Sequence, residues 1–212
     1  MKESQFETYA ENQADRACDL EAFSGLNLAH IRRKLTEMLA QIGANGLFEE
    51  YTRHDISHID AMLKSLDFLI PKTSRDSLTV ADWLFLVLSI YLHDLGLLVT
   101  RDEFKNRDRS NVNEFANKTL YSGEEGADYK ARIQNISDDE QERFLYQEFV
   151  RHHHAERIRE WLMGVSQTRN GFSKKVVAEL DRLFGVLKES VRDTLGMICE
   201  SHHLDDLNDR TK

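Results

Sequence analysis

Four groups of side chains in this sequence have the types and spacing of metal ligands. His54 and His58 stand four residues apart, so on a helix both imidazoles project from one face, one turn apart. His93 and Asp94 are adjacent, directly after the most apolar run in the chain, Trp83 to Leu92. An unpaired carboxylate is costly in such surroundings, so a cation or a hydrogen-bond network belongs there. His152, His153 and His154 follow Arg151, and His202 and His203 stand side by side further on. Imidazole nitrogens and a carboxylate oxygen together suit borderline divalent ions such as Mn, Fe, Zn, Co or Ni. Taken singly, these residues have blander explanations. A helix-face histidine is ordinarily a surface or core residue, and a His-Asp pair is ordinarily a helix C-cap contact, with His favoured at the negative end of the dipole. The whole order, helix-borne His, His-Asp after a buried helix, a later His and then His-His, reads instead as a metal cluster. That reading requires His58 and Asp94 to lie within about two helix diameters, roughly 20 Å.

The elements that must position these groups read as helices nearly throughout. Leu28, Ile31, Leu35, Met38, Leu39 and Ile42 have helical spacing over Leu26 to Ile42, and Gly43 to Gly46 ends that helix. A second helix is expected from Leu47 to Leu69, stopping before Pro71, with Ile56, Ile59, Leu63, Leu66 and Ile70 on one face. Thr79, with Asp82 three residues on, is the expected N-cap of a third helix running to Gly96. It is apolar all round and so is expected at the centre of the domain. From Val99 to Asn135 the chain turns polar, which predicts an insertion with one short helix, lying over a surface or acting as a lid. Ser137 with Glu140 marks a helix reaching Met163, and two more are expected at Ser173 to Phe184 and Val186 to His203. No alternating strand pattern is evident, and the single proline leaves long helices uninterrupted. The fold class is all-α, a helical bundle.

Composition bounds what this bundle can do. The chain has 212 residues, 41% of them hydrophobic, enough for one sizeable core with an appended segment. Residues 1–46 are expected to form an N-terminal helical extension packed on a domain spanning 47–212. Twenty-eight Lys and Arg against 37 Asp and Glu give a formal charge of −9. That balance argues against nucleic acid as the main partner, although basic density exists from Arg169 to Lys175. The N-terminus has no hydrophobic signal core, and no run reaches the roughly 20 apolar residues of a membrane span. Cys18 and Cys199 lie far apart and read as reduced thiols, so a cytoplasmic protein without a membrane partner is expected. Neither a glycine-rich phosphate loop nor a Gly-x-Ser-x-Gly elbow is present.

The stretches FEEYTRHDISHIDAML, LSIYLHDLGLL, FVRHHHAERI and ICESHHLDDL resemble the four metal-binding segments of the HD-domain superfamily of metal-dependent phosphohydrolases, over Phe48 to Leu207. Within it the sequence looks most like the HD-CE type, whose members are often fused to or partnered with a GHKL-type ATPase. The resemblance therefore implies an ATPase domain or subunit as a partner. It implies His58, His93 and Asp94 as the first metal site, with Asp94 bridging two ions. The third segment supplies His154, with His153 as the nearer alternative, and His202 and His203 match the paired histidines of dinuclear members. The opening segment is also similar to the HNxxH stretch of cyclic-nucleotide phosphodiesterases, which gives His54 the place of a proton donor. Arg151 could hold a phosphate oxygen through its forked donors. The family's last ligand is an Asp on a further helix, and no match to it precedes Lys212. Asp205 or Asp206 takes that place, or the polypeptide continues. The lysine that follows His-Asp-Gly in some members is replaced by Leu97.

The implied cofactors are two divalent ions, of Mn, Fe, Zn, Co, Ni or Mg. Sharing a carboxylate, such ions lower the pKa of bound water to about 7, so hydroxide can attack phosphorus in line while His54 protonates the leaving oxygen. The expected activity is hydrolysis of a phosphate mono- or diester, with a nucleotide the substrate class that the resemblance implies. Two alternatives stay open: a regulatory HD module whose metal is structural or whose site is inactive, and an HD-type nuclease.

Overall fold

The computed structural model describes residues 6–43, 47, 56–123, 126–168 and 171–201. It is all-α. In chain order the helices are α1 (Tyr9–Ala17), α2 (Leu28–Leu39), α3 (Ile56–Leu69), α4 (Lys72–Arg75), α5 (Val80–Leu92), α6 (Arg101–Lys105), α7 (Arg109–Phe115), α8 (Gly126–Gln134), α9 (Asp138–Leu162), α10 (Lys174–Phe184) and α11 (Glu189–Ser201). The expected helix starts at Thr79 and Ser137 are both present as reciprocal capping boxes, with Asp82 and Glu140 returning the bond.

The apolar helix α5 is the hub. Trp83, Leu84, Val87, Leu88, Ile90, Tyr91 and Leu92 are all buried, beneath α1, α3 and α11. The 18-residue stretch Val80–Leu97 is apolar enough to pass for a short membrane span, but about two thirds of it is buried inside the bundle, as in the core helix of a globular fold. On α1 the residues Ala10, Ala14 and Ala17 are buried, and their small side chains let that helix lie close against α5. Ile31, Leu35 and Leu39 of α2, Ile59 and Leu63 of α3, Ile158 and Trp161 of α9, and Leu180 and Phe184 of α10 complete this main core. Cys199 of α11 lies in it, and burial pushes its thiol up to about 12, a poor nucleophile.

Three expectations need correction. The third helix stops at Leu92 instead of reaching Gly96: His93 caps it, and Leu95–Leu97 forms a single 3-10 turn. The polar insertion after it holds more than the one short helix expected. It forms α6, α7, a π-helical turn (Ala116–Leu120) and α8, which enclose a second apolar cluster of Leu97, Val99, Val112, Phe115, Ala116 and Ile133. Leu145, Tyr146, Phe149 and Val150 of α9 fill the rest of it. Each of these short helices carries too few apolar residues to show a period by itself. Finally, two-residue strands β1 (Gln167–Thr168) and β2 (Gly171–Phe172) pair antiparallel, with Gln167 opposite Phe172 and Thr168 opposite Gly171. They are too short for an alternating pattern to register in sequence.

The two clusters meet at a buried ion pair. Arg157 of α9 and Glu103 of α6 both have zero exposure, and Arg157 Nη1 donates to Glu103 Oε1 at 2.6 Å. Tyr146 Oη donates to the same oxygen at 3.0 Å, and Ser173 Oγ donates to Oε2 at 2.8 Å. Arg157 also donates to the Gly96 carbonyl from Nε (2.9 Å) and to the Leu98 carbonyl from Nη2 (3.0 Å). Its guanidinium thus takes carbonyls from the turn that follows α5. Truncating one partner of such a pair strands a buried charge, which costs about 3–5 kcal/mol. Arg157→Met is expected to lower unfolding free energy in urea by about that amount. Adding Glu103→Gln removes the stranded charge, so the double variant should be more stable than Arg157→Met alone.

Candidate metal centre

The backbone leaves the helix between His93 and Asp94, and their side chains meet beyond its end. His93 is still helical, and Asp94 sits at φ −97°, ψ −3°. The His93 Nδ1 lies 2.8 Å from the Ile90 carbonyl oxygen, so its proton points back into the helix and Nε2 faces outward. That Nε2 is 2.8 Å from Asp94 Oδ2. His58, from the first turn of α3, brings its own Nε2 to 3.7 Å from the same oxygen, far inside the separation that the sequence reading required. The two imidazole centroids are 5.4 Å apart. One donor atom from each of His58, His93 and Asp94 lies within 4.8 Å of the others.

Electrostatics favour a cation at this point. Asp94 is only 8% exposed, at the end of an apolar helix, while the His58 side chain is 42% exposed, so the group opens to solvent on the α3 side. Burial works against charge on His93, but the hydrogen bond and charge of Asp94, helped by the Ile90 carbonyl, outweigh it and raise its pKa. Two imidazole nitrogens and one buried carboxylate fit a borderline divalent ion, which would displace the proton that His93 Nε2 shares with Asp94, while the Ile90 carbonyl keeps Nδ1 as the other donor.

None of the remaining expected site residues joins this group among the described residues. His154 is buried, with Nδ1 2.6 Å from the Arg151 carbonyl oxygen. It is not one of the three clustered donors among the described residues, but its backbone lies directly against Gly96 of the His-Asp turn. A Cβ at Gly96 would overlap the His154 carbonyl, so glycine here is what lets the turn lie against α9. His153 points elsewhere: its ring packs on Phe149 (4.5 Å between centroids) and Phe115 (5.5 Å) in the second cluster. Arg151 is ion-paired with Glu148, Nη2 to Oε2 at 2.6 Å. His54, His202 and His203, with Asp205 and Asp206, lie outside the described residues.

Reading the sequence alone misses the residues that hold the turn. Arg157 falls inside the quoted HHHAERI run, yet an arginine on a helix ordinarily reads as solvated. Nothing local pairs it with Glu103, 54 positions away. Gly96 carried a better signal, since a glycine directly after an apolar helix marks a turn or a close approach.

A helical bundle that brings histidines from two helices onto an Asp in a His-Asp pair is an HD-type domain, a class that binds divalent metals. The chain belongs to the HD-CE family, whose model matches residues 48–212. No curated protein and no solved structure matches it.

Asp94→Ala removes the only carboxylate of the clustered set and is expected to abolish bound divalent metal, measured by elemental analysis of purified protein. Unchanged stoichiometry would mean that the metal sits elsewhere. Gly96→Ala changes no ligand, but pushes the turn off α9. It is expected to cost about 1–3 kcal/mol in urea unfolding, as overpacking does, and to lower metal content as well.

Proposed function

We propose that the protein is a metal-dependent phosphohydrolase that cleaves a phosphate mono- or diester, with a nucleotide as the substrate class. The observation that carries this reading is the His58–His93–Asp94 group, half open to solvent, in a chain of the HD-CE family. Divalent cations held there would supply a water acidic enough to ionise near neutral pH and would neutralise phosphoryl oxygens as charge builds. The chain's own groups do the rest. His93, oriented by Ile90, and Asp94 hold the cation from the buried side, and His58 holds it from the open side. His154, buried against the same turn, and His202 and His203 are proposed to extend the ligand set. His54 lies four residues before His58 in sequence and is proposed as the acid that protonates the leaving oxygen. Arg151 would reach a phosphate oxygen by exchanging its Glu148 partner for the substrate.

The test is a panel of nucleotides and nitrophenyl phosphate mono- and diesters, assayed with and without added Mn. Turnover that needs the metal and is lost in Asp94→Ala supports the reading, and metal binding without turnover of any ester overturns it. His54→Ala should keep metal and fold and slow turnover of nucleotides by roughly 10²- to 10⁴-fold, the usual range for a general acid. It should have a small effect on nitrophenyl esters, whose leaving group needs little protonation. Equal loss on both substrates would reject His54 as the proton donor.

A further inference from the structure

The HD-CE match begins at residue 48, yet a polar network built from earlier residues reaches both helices that carry the clustered ligands. Its centre is Glu11 of α1, which is 2% exposed. Glu11 accepts from Thr8 Oγ1 (2.6 Å), from Tyr91 Oη of α5 (2.5 Å) and from Arg32 Nε of α2 (3.0 Å). The other branch of the Arg32 guanidinium bonds Asp60 of α3. Tyr91 lies two residues before His93, and Asp60 two residues after His58. Burial and the Glu11 carboxylate hold the Tyr91 hydroxyl protonated, so it remains a donor to that carboxylate.

We propose that Arg32 is a positioning residue for the metal centre, setting the rotation of α3, and with it His58, against α5. The reason lies in how α3 is held. Its fully buried side chains are Ile59 and Leu63, with Ile56, Met62 and Leu66 partly buried against the main core, and apolar packing of this kind tolerates small rotations. A second ion pair to the N-terminal segment among the described residues, Lys64 to Glu7 at 3.6 Å, is largely exposed and worth little. At about 100° per residue, Asp60 and His58 lie about 200° apart around α3, on opposite flanks of the buried edge. Rotation of α3 that loosens one flank therefore swings the other, and His58 stands 3.7 Å from Asp94 with no covalent constraint between them. A fixed fork that bonds two carboxylates on different helices is geometry that arginine provides and lysine does not. The inference rests on the metal centre described above, but not on the reaction proposed for it.

The experiment is a titration of the full-length apoprotein with Co(II), following the visible absorption of the bound ion, in wild type, Arg32→Met, Arg32→Lys, Asp60→Asn and a stability control, Leu183→Ala on α10. Arg32→Met is expected to weaken Co(II) by about tenfold or more, the lower end of what outer-shell changes cost, and to alter the spectrum of the bound ion. Arg32→Lys should lose less, because it keeps one of the two bonds. Leu183→Ala should lose stability in urea while leaving affinity and spectrum unchanged. If Arg32→Met does not fold, Asp60→Asn carries the test, with a smaller weakening expected. Affinity and spectrum in Arg32→Met or Asp60→Asn equal to those of Leu183→Ala would overturn the positioning role. A wild type that binds no Co(II) would overturn the metal centre and this inference together. Failure to hydrolyse any ester would leave the titration readable.

Discussion

The buried pair of Arg157 and Glu103 is the constraint around which the rest of the molecule is arranged. Removing two charges from water costs more than their mutual attraction returns, unless the remaining donors and acceptors are also satisfied. Here they are. Glu103 accepts from Arg157, Tyr146 and Ser173, and Arg157 shares its donors between that carboxylate and the carbonyls of Gly96 and Leu98. Tyr146 keeps its proton because burial and the Glu103 charge push its pKa up. The arrangement also demands Gly171, at φ 144°, where a Cβ would run into both the guanidinium and the carboxylate. One pair thus joins α6, α9, the β-hairpin and the turn after α5, and it marks where the main core gives way to the second cluster.

This explains how an acidic group can stand at the end of the most apolar helix in the protein. Because Arg157 takes the carbonyls of Gly96 and Leu98, and Gly96 lies against His154, the chain turns directly after His93. Asp94 is left buried, facing two imidazoles instead of solvent. A second polar network, around Glu11, ties α1, α2, α3 and α5 together. Residues 6–43 therefore belong to the same packing unit as the helices bearing the ligands, through both Ala10, Ala14 and Ala17 and this carboxylate.

Helix α9 shows why the region between the ligand segments resists reading from sequence. Over 25 residues its early apolar side chains, Leu145, Tyr146, Phe149 and Val150, enter the second cluster, and its later ones, Ile158, Trp161 and Leu162, enter the main core. The two sets lie on different faces of the helix, so no single stripe runs its length. His153 and His154 separate across this change. One packs with Phe115 and Phe149, and the other sits against the His-Asp turn. Sequence could nominate both, but which of the two faces the turn follows from the rotation of α9 between two cores.

What the sequence alone determined was local. Capping residues at Thr79 and Ser137, the break at Pro71 and the uninterrupted apolar run of α5 each depend on neighbours within a few positions. From those came the all-α class and most of the long helices, while the choice of His58, His93 and Asp94 as one site came from the resemblance to the HD-domain superfamily. The early end of α5, the folded second cluster, the Arg157–Glu103 pair and the Glu11–Arg32–Asp60 network were decided only in three dimensions. The two polar networks each join residues tens of positions apart whose types, taken singly, suit a solvated surface. A buried charge is stable only when its partners arrive from several elements at once, and no local pattern encodes that arrival.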